Sequence, residues 1–138
     1  MRQREAVFVD SGAWIALALA RDPLHASARE QWELLRGAGS RLVTSVPVVI
    51  ETFTFLDRNA HRDAALAWKN AVFNPGAVKV LPCELGDLEQ AWGYFRRADL
   101  HKLSAVDASS FAIMKRAGIR LAYAFDRHFA MAGFRLVG

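Results

Sequence analysis

The sequence has few of the residues that cross-link a small fold or bind soft metals. It contains one cysteine, Cys83, and four histidines in 138 residues. A single cysteine cannot form an internal disulfide, which fits a reducing compartment, and it cannot build a structural zinc site. The histidines show no metal-ligand spacing. Any metal site in this chain should therefore use oxygen ligands.

Long hydrophobic runs are also absent. The longest near-apolar stretch, residues 6–20, is interrupted by Asp10, Ser11 and Gly12. It is too short and too broken for a membrane span, and Asp10 falls where a signal peptide needs its apolar region. We expect a soluble cytoplasmic protein without a membrane partner. Its length and its 53% hydrophobic content predict one folded domain, residues 1–138.

The motifs of several enzyme classes are missing. There is no GxxxxGK[ST] phosphate loop, no GxGxxG after the first predicted strand and no GxSxG nucleophile elbow. Ser11 is well placed for a nucleophile but lacks an obvious histidine partner. Phosphatases that use an aspartyl-phosphate usually have a second aspartate two residues after the first, and Gly12 occupies that position here.

The chain instead carries four acids that are each alone in an apolar stretch. These acids are Asp10 in AVFVDSGAWIALALA, Glu51 in LVTSVPVVIETFTFL, Asp107 in LSAVDASSFAIM and Asp126 after LAYAF. Such stretches are normally core, where an uncompensated carboxylate is costly. The first three contain no Lys or Arg that could pair with the acid. If the fold gathers the four, a cation must lie among them.

The charge balance agrees with a polyanionic partner. The chain has 18 Lys and Arg against 14 Asp and Glu, so only ten acids remain once the four isolated ones are set aside. A basic surface around a small acidic focus suits a polyanion that approaches a bound cation. A moderately basic protein with no such partner remains the alternative.

Hydrophobic periodicity predicts strands that alternate with helices. Predicted strands are Glu5–Val9, Arg41–Thr44, Val78–Leu81, Arg120–Phe125 and Phe134–Val137. Predicted helices cover residues 13–20, 25–36, 46–59, 62–73, 84–97, 104–117 and 127–132. This alternation indicates an α/β fold of three layers, with a twisted, mostly parallel five-stranded sheet flanked by helices.

The predicted fold lets the four acids converge. Asp10 and Asp126 end strands at the edge where open α/β sheets bind ligands, and right-handed crossovers bring Glu51 and Asp107 to the same edge. Carboxylates suit Mg²⁺ or Mn²⁺. The alternative for a single buried aspartate is a helix cap or a satisfied polar group, and Asp107 in particular could serve the N-terminus of its helix.

Four segments together resemble the motif blocks of the PIN-domain ribonucleases. They are VFVDSGAWIAL, VVIETFTFL, LSAVDASSFAIM and AFDRHFAMAGF, and the resemblance extends from Val7 to Val137. The chain most resembles the toxins of VapBC-type toxin–antitoxin pairs. The resemblance implies a PIN-like fold and a Mg²⁺- or Mn²⁺-dependent endoribonuclease that uses one or two ions. It also implies an RNA substrate such as tRNA, rRNA or mRNA, a small antitoxin and a homodimer.

The resemblance also assigns roles to residues. The family's acidic quartet falls on Asp10, Glu51, Asp107 and Asp126, as catalytic residues and metal ligands. Ser11 matches the small hydroxyl residue after the first aspartate, which would orient a metal-bound water or ligand. Asp99 matches an acid that some relatives have nearby as a supporting residue, and the alternative is a solvated loop residue. Basic side chains would hold the RNA backbone, and the candidates are Arg127, His128, Lys102 and Arg58, with Lys115 and Arg116 further off.

Two other functions stay open at this point. One is an RNA-binding or scaffold module that keeps the fold and the metal but not turnover. The other is a small metal-dependent phosphatase. RNA titration separates the first from a nuclease, because only a nuclease gives metal-dependent product.

Overall fold

A parallel five-stranded sheet forms the centre of the protein. The computed structural model describes residues 4–137, and the strand order is β3-β2-β1-β4-β5 with every neighbouring pair parallel. The strands are β1 (Ala6–Val9), β2 (Arg41–Ser45), β3 (Lys79–Leu81), β4 (Leu121–Tyr123) and β5 (Arg135–Leu136). The predicted α/β class and five strands are confirmed, and the sheet is wholly parallel rather than mostly so.

Seven helices flank the sheet in the described part of the chain, residues 4–137. They are α1 (Ser11–Ala18), α2 (His25–Gly37), α3 (Val46–Asn59), α4 (Arg62–Val72), α5 (Leu85–Tyr94), α6 (Ala105–Ala117) and α7 (His128–Met131). The central strand β1 is buried at Val7, Phe8 and Val9, as expected for a strand covered on both faces. No helix in residues 4–137 is both long and apolar enough to cross a bilayer.

Serine and glycine fix several helix ends where the sequence predicts them. Ser45 accepts a hydrogen bond from the Val48 backbone and begins α3, with Pro47 in the first turn. Ser104 caps α6 in the same way, and Gly118 ends it in the left-handed region at φ 70°. These local signals explain why the bounds of α3 and α6 follow the sequence closely.

Other bounds differ from the sequence expectation. The predicted helix 84–97 ends as α5 at Tyr94, because the next three residues bond to carbonyls three positions back, in a tighter turn. The last two strands are shorter than predicted. Leu121, Ala122 and Tyr123 of β4 pair with β1, and only Leu121 and Ala122 find register partners in β5. Strand length here depends on the neighbour and not on the strand's own residues.

Tyr123 at the end of β4 ties the sheet to α2. Its side chain is fully buried and its hydroxyl donates to the carbonyl oxygen of Ala28. Tyr123→Phe removes this donor, so we expect the free energy of unfolding to fall by about 1 kcal/mol in urea titrations. Tyr94→Phe is the matched control, because the buried Tyr94 hydroxyl has no hydrogen-bond partner. Equal losses in the two variants would contradict the assignment.

Candidate active site and cation-binding site

Two of the four isolated acids lie at the ends of neighbouring strands. Asp10 follows β1 and Asp126 follows β4, and the Asp10 backbone N–H donates to the Tyr123 carbonyl at 3.0 Å. Parallel strands end at the same edge of the sheet, so both acids reach the crevice where α/β folds bind their ligands. Asp10 directly follows its strand as predicted, whereas β4 ends at Tyr123, three residues before Asp126, because the strand is shorter than the sequence indicated.

The other two acids come from α3 and α6, which pack against each other. Ser11 donates its hydroxyl proton to Glu51 Oε1 at 2.5 Å, which joins the start of α1 to α3. Asp107 lies in the first turn of α6, but Ser104 rather than Asp107 caps that helix, at 3.0 Å from the Asp107 backbone nitrogen. Asp107 is nevertheless the acid in the first turn of α6, which is the position that an electrostatic role at the helix N-terminus requires. Its carboxylate also interacts with the other three acids.

The surroundings of Asp10 indicate what kind of ligand the site can hold. Only 3% of its surface is exposed. It occupies the N-cap position of α1, but its side chain forms no capping hydrogen bond, and its Oδ1 has no hydrogen-bond partner. Within residues 4–137, no Lys or Arg forms an ion pair with any of the four acids. A buried, unpaired carboxylate oxygen among other acids fits a divalent cation with oxygen ligands.

The pKa values reflect how deeply these acids are buried and how closely they lie to one another. Burial, with added repulsion from Glu51 and Asp126, raises the pKa of Asp10 to about 7. Burial and repulsion from Asp10 and Asp126 raise the pKa of Asp107 to about 9. Although burial acts to raise the pKa of Asp126, its hydrogen bond with Asp107 and its contacts with His128 hold it below the ordinary value. Without a cation, Asp107 therefore keeps its proton at neutral pH.

His128 belongs to the site in a way that the sequence did not predict. One ligand atom each of Asp107, Asp126 and His128 lies within 4.8 Å of the others. The imidazole Nδ1 is 3.1 Å from Asp126 Oδ1, outside hydrogen-bond geometry, and has no other partner. The only available signal was the two-residue spacing between Asp126 and His128. We expected His128 to contact RNA, and the structure also makes it a possible cation ligand.

The remaining predicted residues differ in their distance from the acids. Arg127 and Asp99 line a cavity beside Asp126, and Asp99 is held by Arg97. Lys102 and Arg58 are exposed, the first in the loop before α6 and the second two turns beyond Glu51. None of these side chains forms an ion pair with the acidic quartet in the described residues.

Lys115 and Arg116 lie elsewhere. Arg116 donates two hydrogen bonds to Asp87, at 2.8 and 3.0 Å, and Lys115 lies over the Tyr94 ring. Both residues line a separate cavity along α5 and α6. Their nearness to Asp107 in sequence does not bring them to the acids, because the length of α6 separates its two ends.

Ser11 gives a direct test of how the site is held. Ser11→Ala removes the hydrogen bond to Glu51, so we expect cation affinity to fall about 10–100-fold, as for other groups that orient a ligand. Isothermal titration with Mn²⁺ measures this change. Ser11→Thr keeps the hydroxyl and should retain most of the affinity. An unchanged affinity in Ser11→Ala would show that Glu51 does not depend on this bond.

Comparison with known proteins agrees with this geometry. The sequence pattern described as the PIN domain matches residues 7–135. The chain is 40% identical, over 129 residues, to the 23S rRNA-specific endonuclease VapC20 of Mycobacterium tuberculosis. The aligned residues cover 93% of this chain and 95% of the relative. The crystal structure of that VapC20, described as a Sarcin-Ricin loop cleaving toxin, superposes with a TM-score of 0.81 at 38% identity, over 93% of this chain and 95% of that one.

More distant structures share the fold alone. VapBC2 from Rickettsia felis, bound to a DNA fragment from its promoter, has a TM-score of 0.68 at 10% identity and covers 95% of this chain and 96% of that one. FitAcB from Neisseria gonorrhoeae has a TM-score of 0.65 at 13% identity and covers 96% of both chains. Together with the sequence match over residues 7–135, these similarities show that the chain belongs to the PIN domain family.

Proposed function

We propose that this chain is a metal-dependent endoribonuclease that hydrolyses phosphodiester bonds in RNA. One observation carries the proposal: the buried Asp10 carboxylate has an unpartnered oxygen and lies among three other acids that no Lys or Arg neutralises in residues 4–137. Mg²⁺ or Mn²⁺, as one or two ions, fits this donor set. Such an ion lowers the pKa of a bound water and stabilises the charge that develops on the phosphate.

The residues divide the remaining work. Asp10 and Asp107, the two most buried of these four acids, would hold the cation, and Glu51 and Asp126 complete the donor set. Ser11 fixes the orientation of Glu51. Glu51 and Asp126 are the more exposed pair, so they are the carboxylates that can accept the proton of an attacking water. Arg127, Lys102 and Arg58 supply positive charge for the RNA backbone. His128 lines the same cavity as Arg127 and can contact the RNA there.

The biological setting follows from the VapC20 relative. We propose that the chain is the toxin of a toxin–antitoxin pair, acts in the cytoplasm as a single domain and cuts a loop of 23S rRNA. A small antitoxin would inhibit it, and two copies would form a homodimer. Exposed apolar side chains on α3, on α4 and directly after α4 support such contacts. They are Val46, Ile50, Phe55, Leu66 and Phe73.

The test uses the purified chain free of antitoxin and a synthetic stem–loop with the sarcin–ricin loop sequence. We expect a single cut with Mg²⁺ or Mn²⁺ and none with EDTA, mapped by primer extension. RNA binding without any cut would favour the RNA-binding or scaffold function. Release of phosphate from a phosphomonoester, without RNA cleavage, would favour a phosphatase.

A further inference from the structure

A cavity of about 500 Å³ opens directly beside the acidic site. Asp126 forms part of its wall, and the other lining residues are Asp99, His101, Arg127, His128 and Met131. This volume is within the range of about 300–1,000 Å³ that holds small ligands in proteins. A group bound in this cavity would therefore lie next to a phosphate held by a cation at Asp126.

Arg97 connects two walls of this cavity by hydrogen bonds. Its guanidinium donates two hydrogen bonds to the Asp99 carboxylate, at 3.0 and 2.6 Å, and a third to the Met131 carbonyl at 2.9 Å. Asp99 belongs to the loop 98–102, and Met131 ends α7, so one side chain joins both walls. A planar guanidinium with fixed donors makes such a joint rigid. The Asp99 carboxylate thus belongs to this wall through its bonds with Arg97.

The chemistry of the walls suits a nucleobase better than a phosphate alone. His101 and His128 present imidazole rings, and Met131 leaves 41% of its surface exposed although it is apolar. Unpaired RNA bases bind proteins by stacking on such planar or soft groups, whereas backbone phosphates need only positive charge. Arg127 at the same wall provides that charge for the adjoining phosphate.

We propose that this cavity, formed by the loop 98–102 and α7, binds one unpaired nucleotide of the RNA next to the bond that is cut. This inference rests on the proposed endoribonuclease function and names the part of the substrate that the site selects. His101 and Met131 contact the base, and Arg97 is a positioning residue that holds both walls. An RNA whose base at this position is locked in a duplex is excluded.

A double-mutant cycle between protein and RNA tests the proposal. Abasic nucleotides are placed one at a time through the unpaired positions of the sarcin–ricin stem–loop, and cleavage gives kcat/KM for the wild type and for Met131→Ala. We expect one position near the cut where the missing base lowers kcat/KM about tenfold in the wild type, as for loss of one stacked base. Met131→Ala should show a similar loss, and combining both changes should add nothing further.

His101→Ala should behave like Met131→Ala, and Arg97→Ala should do so as well because both walls are released. Leu34→Ala is the matched control, since Leu34 is an apolar side chain on α2 that is 63% exposed. Leu34→Ala and the abasic nucleotide should act independently, so that their effects on kcat/KM multiply at every position. If the losses in kcat/KM from Met131→Ala and His101→Ala also multiply with the loss from the abasic nucleotide at every position, the proposed subsite does not exist.

The same cycle is measured as Kd by fluorescence anisotropy with Mg²⁺ present and with RNA whose bond at the expected cut is replaced by an uncleavable linkage, which separates the two proposals. A wild type that binds the RNA but never cleaves it would overturn the endoribonuclease function, and the cycle in Kd would still decide the subsite. A wild type that does not bind the RNA at all would overturn both. A cut that occurs normally, with no coupled position, would overturn only the subsite.

Discussion

Replacing Asp10 with asparagine is expected to lower RNA cleavage by more than about 100-fold while the fold is kept. Changes in groups that merely orient a metal ligand already cost about 10–100-fold, so loss of a direct ligand should cost more. Asparagine has nearly the same size and keeps one carbonyl oxygen, which means that the packing around this buried position changes little. The cleavage assay with saturating Mg²⁺ measures the loss.

The same substitution should not destabilise the metal-free protein. Asp10 lies among like charges and its buried Oδ1 has no partner, so an uncharged amide removes a source of repulsion. We expect thermal melting in EDTA to be unchanged or higher, whereas the stabilisation that Mg²⁺ gives to the wild type should disappear. Glu89→Gln, at an exposed position of α5, is the control and should leave cleavage intact. Normal cleavage in Asp10→Asn would refute the assigned site.

The second large effect is a steep dependence of cation affinity on pH. The pKa values of Asp107 and Asp10 are about 9 and about 7, so a cation must displace protons from both carboxyls. Between pH 7 and 9 one proton is released, and affinity should rise by up to about tenfold per pH unit. Below pH 7 two protons are released, and the slope should approach about 100-fold per unit. Calorimetric titration in buffers of different ionisation enthalpy counts these protons.

Stability without metal should move in the opposite direction. Both carboxyls have folded-state pKa values above the ordinary value of 3.8, so the folded chain holds more protons than the unfolded chain between about pH 4 and 9. The free energy of unfolding therefore falls as pH rises through this window. We expect the melting temperature in EDTA to drop from pH 6 to 9, and Mg²⁺ to restore most of the loss.

Asp107→Asn provides the internal check on both trends. It removes the group that titrates near pH 9, so the metal-free melting curve should lose its dependence on pH between 7 and 9. Cation affinity in this variant should be weak at every pH. A wild type whose cation affinity is the same at pH 6 and pH 9 would show that the acids do not share one site.

Much of the fold was readable in the sequence because its signals are local. The strand β1 is a short apolar run, Ser45 and Ser104 cap α3 and α6, and Gly118 ends α6. Alternation of strands and helices then leaves few parallel arrangements. The ends of α5 and β5 were predicted less well, since a tight turn ends the first and the pairing with β4 limits the second.

The acidic quartet was also predictable, because a lone carboxylate in an apolar segment is an energetic anomaly visible without a structure. Its convergence needed only strand ends and right-handed crossovers. The partners of these acids were not predictable in the same way. The hydrogen bond from Ser11 to Glu51 spans 40 residues of sequence. Outside the quartet, the pair of Arg116 with Asp87 spans 29 residues and was equally hard to predict.

The sequence by itself therefore determined the order of elements, the α/β class and the four acids that meet at one sheet edge. The tertiary structure alone decided which other side chains reach them. In the folded chain, His128 lies with Asp107 and Asp126, and Arg116 pairs with Asp87 rather than with the quartet. Arg97 joins the loop 98–102 to α7. The physical reason is that backbone patterns repeat along the chain, whereas side-chain contacts between distant segments depend on how those segments pack.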